Sequence, residues 1–206
     1  MKPIFALLLA TLLVGCGTPN IRSDYKLNAA SGEGLVIGAL TYDGALAKYN
    51  LEYKRMEDGK GNYFTVGSSM YPSFSRSDFS SYGYSGALFA ASLPAGHYLM
   101  TKWGTGSGVV NSSATASDVV PFEVVAGKAT YLGTFHFVPV RKISLTVGAK
   151  IVHTDKHERD LEVFRKLYPT LADVQIDSID IRNGLLGEPS QHSITVTPVV
   201  PLLPIK

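Results

Sequence analysis

Short apolar runs with period-two alternation, turn residues at regular spacing and one isolated helical stripe predict a mainly β chain. The expected architecture is an antiparallel β-sandwich with one packed α-helix near residues 155–168. The 206 residues are enough for one domain with a real core. Lys plus Arg number 19 against 17 Asp plus Glu, so no basic tract points to nucleic acid and no acidic block to a solvated tail.

The β pattern begins at residue 34. "LVIGALTYDG" (35–44) and "AKYNLEYKRMEDGKGNYFTVGSS" (47–69) are strand runs, with "DGKGN" (58–62) as a hairpin loop. Tyr49, Leu51 and Tyr53 alternate with Asn50, Glu52 and Lys54, the signature of a half-buried strand. Two further runs, 87–103 and 119–140, are expected to fold as hairpins about "LPAG" and "AGK". Pro94 suits a second turn position there, and Gly96 and Gly127 tolerate positive φ. In the last arm, strict alternation puts Tyr131, Gly133, Phe135 and Phe137 on one face and Leu132, Thr134, His136 and Val138 on the other. A strand at 142–153 follows. "DKHERDLEVFRKLYP" (155–169) then opens with an Asp155–Glu158 capping box, stripes Leu161, Phe164, Leu167 and Tyr168, and stops before Pro169. "DVQIDSIDIRNG" (173–184) reads as a late, bulged strand, and "WGTGSGVVNSSATASD" (103–118) as a surface loop.

The paired motifs "LPAGHY" and "FEVVAGKATYLG" resemble those of transthyretin-like or carboxypeptidase-regulatory-like sandwiches, which occur in bacterial envelope lipoproteins. Tyr168-Pro169 at the helix end is similar to a feature of uncharacterised lipoproteins of that kind. The resemblance spans roughly residues 85–170 and implies a fold, not an activity.

The N-terminus carries the more specific signal. Lys2 precedes an apolar run from Ile4 to Val14, broken only by Thr11 and too short for a bilayer, which needs about 20 residues. It ends in Leu13-Val14-Gly15-Cys16, which resembles a bacterial lipobox. The resemblance implies a signal peptide over 1–15 and a Cys16 carrying diacylglycerol and an amide-linked acyl chain such as palmitate. Gly17, in place of an aspartate, implies outer-membrane sorting with a domain facing the periplasm. Cys16 is the only cysteine, so its acylation would leave no disulfide, thiol nucleophile or cysteine-based metal site. Residues 16–33 are expected to form a flexible tether, 34–196 the sandwich and 197–206 a proline-rich tail. Pro198, Pro201 and Pro204 recur in that tail with period three, suiting a polyproline II strap that docks on the sandwich or on a partner.

Chemistry is sparse. "GSSMYPSFSRSDFSSYGYSG" (67–86) sets Tyr71, Phe74, Phe79, Tyr82 and Tyr84 among serines, the composition of a binding loop able to grip protein or glycan. The bland alternative is an irregular connection whose rings cover a sandwich edge. His153, His157, Asp155 and Glu158 lie close in sequence, but they lack metal-site spacing and read as surface groups beside a helix cap. "GYSG" (83–86) is not a nucleophile elbow, and the glycines of 104–108 precede no phosphate-loop lysine. No cofactor or metal is expected. The expected role is a non-enzymatic envelope interaction or structural module, held to its membrane through Cys16 and contacting an envelope protein or glycan. An accessory subunit of a larger envelope assembly is the alternative, and a glycan hydrolase ranks below both.

Overall fold

The computed structural model describes residues 17–44, 47–68, 77–108, 110–142, 145–186 and 191–196. Two sheets face each other. The first is ordered β10 (Gly184–Leu185), β8 (Leu145–Thr154), β7 (Ala129–Lys142), β1 (Glu33–Tyr42) and β4 (Ser85–Pro94), with β9 (Ile176–Ser178) also paired to β7. The second is ordered β11 (Gln191–Val196), β6 (Val110–Val124), β5 (Gly96–Ser107), β2 (Lys48–Arg55) and β3 (Gly61–Gly67). The sandwich and the one α-helix among the described residues, α1 (His157–Leu167), match the expected class. Pairing is not wholly antiparallel, because β1 and β9 both run parallel to β7.

Alternation explains the inner core. Tyr49, Leu51 and Tyr53 of β2 point inward against Phe64, Phe89, Tyr98, Trp103, Phe135 and Phe137. Phe64 stacks on Phe89 with ring centroids 4.0 Å apart, and Tyr98 stacks on Phe122 at 5.1 Å. Trp103 satisfies its indole N–H on the Ala149 carbonyl at 2.6 Å. Burial pushes the Tyr49 and Tyr98 phenols up to about 12. Strand β1 is buried on both faces: Val36 and Leu40 look into the sandwich, while Leu35, Ile37 and Ala39 look out toward α1. That is why its sequence is a continuous apolar run rather than an alternating one.

The turns at 94–96 and 125–128 are not hairpin turns. Each carries the chain from one sheet to the other, since β4 and β7 lie in the first sheet and β5 and β6 in the second. The local chemistry is as expected, with Gly127 at φ +72° and its N–H donating to the Glu33 carbonyl at 2.9 Å. A turn signature constrains backbone dihedrals but does not name the sheet that receives the next strand. The expected surface loop at 103–118 is instead a β5–β6 hairpin turning at Gly108, φ +57°. Beyond Trp103 its alternation is written in small residues: Thr105, Ser107, Ser112 and Ala114 face inward, and Thr105 and Ser112 join hydroxyls at 2.7 Å.

The stretch expected to be a free tether is docked. Thr18 N donates to the Tyr63 carbonyl of β3 at 2.8 Å, and its hydroxyl meets the Tyr53 phenol at 2.7 Å. Asn20 then accepts from Ala90 N and donates to the Leu88 carbonyl, while Ile21 N donates to the Ala90 carbonyl. Residues 17–21 thus bridge β3 and β4, the edge strands of opposite sheets, and cover edges that would otherwise invite pairing. Asn-containing polar stretches read as linkers, yet these polar groups are spent on strand-edge backbone. Further on, Ile21, Tyr25 and Leu27 pack beside α1's core, and Thr170 donates to the Ser23 and Tyr25 carbonyls.

The expected capping box is not formed: the N-cap of α1 is Lys156, without a side-chain cap bond, and Asp155 accepts the His157 N–H at 2.9 Å in a turn just before it. The reciprocal bond is not made to Glu158, because Asp155 N donates to Asn183 instead. The late strand shrinks to β9, with Val174, Ile176 and Ile181 packed beneath the helix side. The expected leader 1–15, Cys16 and the expected proline-rich tail 197–206 lie outside the described residues.

Candidate functional site

Gly133 organises the helix-bearing face. Between Ile37 and Ala39 of β1, β7 spends one extra residue, a bulge over Leu132 and Gly133, with Gly133 at φ +94°. The bulge reverses the phase of β7. Tyr131 and Thr134 therefore share the outer face, while Leu132, Phe135 and Phe137 face inward, which corrects the strict alternation expected from sequence. The freed Leu132 carbonyl accepts from Nε2 of His153 at 2.8 Å, and that ring stacks on Phe135 at 4.3 Å. His153 is 2% exposed, not a surface group, and its burial lowers its pKa.

Above the bulge, Tyr131 and Thr134 both donate to Oδ2 of Asp160, at 2.7 and 2.5 Å. Arg159 grips the other carboxylate oxygen at 2.7 Å and also donates to the Thr134 hydroxyl at 2.9 Å. Asp160 is 0% exposed, so every oxygen of this buried carboxylate is used inside the protein. Burial, then the Asp160 charge, drives the Tyr131 phenol well above the tyrosine range. This cluster fastens α1 to the sheet and leaves no valence for a substrate.

The aromatic segment divides around it. Phe79 is 0% exposed, beneath the Arg159 guanidinium at 4.6 Å, and is a core ring rather than a contact residue. Tyr82 is half-buried and donates to Glu162 of α1 at 2.7 Å. Tyr84 remains open at 44% exposure, between Arg159 at 5.3 Å and the His136 ring at 6.2 Å. Tyr71 and Phe74 lie outside the described residues.

Beyond Tyr84, α1 no longer covers the first sheet. Val138 and Val140 present their side chains on the outer face at 36% and 40% exposure. Next to them, His136 bonds Thr41 through Nδ1 at 2.9 Å and faces Asp43 through Nε2 at 3.3 Å. A hydroxyl, an imidazole and a carboxylate thus line up, but the Thr41 side chain is buried at 1% exposure and out of a substrate's reach. A second pair, Ser178 and His157 at 3.2 Å, sits on an exposed surface. His157 also packs edge-on against Tyr131, away from His153. Among the described residues, no three His, Cys, Asp or Glu side chains gather as a metal site, and no helix is long and apolar enough to cross a membrane. No protein-family model and no curated protein matches the chain.

Proposed function

We propose that the protein is a lipid-anchored module of a bacterial envelope, acylated at Cys16 after removal of residues 1–15, that engages another envelope protein without catalysing a reaction. The observation that carries this reading is the apolar run ending in Leu13-Val14-Gly15-Cys16, with the lone cysteine only two residues before the first anchoring contact, at Thr18. Two or more acyl chains bind durably where one binds marginally. Gly17 after the cysteine favours the outer membrane, with the domain on its periplasmic side.

The contact surface in this reading is the uncovered outer face around Tyr84, Val138 and Val140. Its aliphatic character suits a protein partner better than a glycan, since sugars are gripped by stacked rings. Of the described rings in the aromatic segment, Phe79 is buried and Tyr82 is engaged with Glu162. Metabolic labelling with an alkynyl fatty acid should tag the wild type and not Cys16→Ser, and the variant should leave the membrane fraction. In-cell crosslinking from a photoreactive residue at position 138 should trap a protein partner that Val140→Glu releases. An untagged wild type defeats the anchoring half of the reading, and an unchanged crosslink pattern defeats the interaction half.

A further inference from the structure

The docked N-terminal segment has an orientational consequence. Gly17 lies against the Tyr63 ring, since a Cβ built on it would stand 3.1 Å from Cε2. Thr18 is held to the open edge of β3 through its backbone and to Tyr53 through its hydroxyl. Only Gly17 separates Thr18 from Cys16, two residue steps with a reach of about 7 Å when fully extended. A lipid on Cys16 therefore cannot swing the domain about freely, and the bilayer surface must lie beside β3.

That side of the molecule is suited to a headgroup layer. Tyr63 presents a half-buried ring at the edge, and the Lys48 ammonium lies 5.9 Å from its centroid. Lys54 is exposed on the neighbouring strand. Tyrosine rings and lysine stems are the side chains that settle at a membrane interface, their polar ends toward headgroups. We propose that the β3 edge and the adjoining outer face of its sheet, around Tyr63 and Lys48, rest on the anchoring bilayer. The helix-bearing sheet, with Tyr84, Val138 and Val140, is thereby turned toward the aqueous side. This orientation rests on acylation of Cys16.

The test uses the acylated protein in vesicles of phosphatidylethanolamine and phosphatidylglycerol carrying a headgroup nitroxide. With the native cysteine acylated, an introduced cysteine is the only thiol to label. A fluorophore at Glu52→Cys, directly across from Tyr63 in register, should be quenched several-fold more than one at Glu158→Cys on α1. A flexible Gly/Ser insert between Gly17 and Thr18 should bring the two to parity. Equal or reversed quenching without the insert overturns the orientation. The mass of the N-terminal peptide from the same sample separates the two ideas: an acylated peptide with equal quenching sinks the orientation alone, whereas an unmodified peptide sinks the anchoring reading and the orientation with it.

Discussion

The molecule has two cores built on different rules. Between the sheets, apolar rings and aliphatics fill the space, and their few polar atoms are satisfied locally, as Trp103 is on Ala149. Between the first sheet and α1, an equally buried layer of Leu35, Ile37, Leu161 and Phe164 surrounds the carboxyl group of Asp160 with its ring of donors. The first core needs shape and hydrophobicity, which many sequences supply. The second needs one geometry, because a buried carboxylate tolerates no missing partner. The inner core accounts for the sandwich, whereas the outer one determines where α1 and the 77–84 segment lie.

Removing charge from the outer core should expose that difference most. Asp160→Ala strands the Arg159 guanidinium and two hydroxyls, and should cost about 3–5 kcal/mol in urea unfolding. Phe135→Ala in the inner core should cost a similar amount, about 3–5 kcal/mol, through a cavity. The two separate on rescue. Phe135→Leu should recover most of the loss, whereas Asp160→Leu, of comparable bulk, should recover little while Arg159 remains. If Asp160→Leu proves as stable as wild type, the polar cluster is not what fixes α1.

Gly133→Ala should follow, at about 1–3 kcal/mol for placing a side chain at this positive φ. Its Cβ would also stand 2.5 Å from Nε2 of His153, pressing on the bond to Leu132. Calorimetry on the purified domain reads this directly. His153 adds a pH dependence. Its folded pKa lies below the unfolded value of about 6.5, so the unfolded chain binds the proton first. Stability is then complete above about pH 6.5 and declines as pH falls toward the folded pKa. His153→Gln should flatten that limb, and an unchanged slope would remove His153 as its source. The smallest effect is expected at the strap: Asn20→Ala loses two bonds to β4 and should cost about 1–2 kcal/mol, with faster amide exchange along 88–90.

Legibility in the sequence tracked the same division. Strand β2 and its hairpin follow directly from alternation and turn chemistry, although the connection is 56–60 rather than 58–62, and the stripe of α1 follows from its 3.6 period. Asp160 is not legible locally, because an acidic residue in a first helical turn reads as a solvated, dipole-favoured position. Its partners are 26 and 29 residues away and converge only through the bulge. Phe79 resembled a contact residue because loop rings among serines look alike whether they face solvent or a guanidinium. A signal for the bulge was present in Gly133, a glycine within an apolar strand run, but not the phase it would impose.

The sequence by itself determined the β class, the helix, the turns at 94–96 and 125–128 and the lone cysteine behind an apolar run, because each is a local pattern of period, dihedral preference or composition. Tertiary structure alone decided which sheet each strand joined, that the N-terminal stretch straps two edges together, and which face of β7 meets Asp160. Those outcomes depend on hydrogen bonds and packing between residues distant in the chain, and no local period records them.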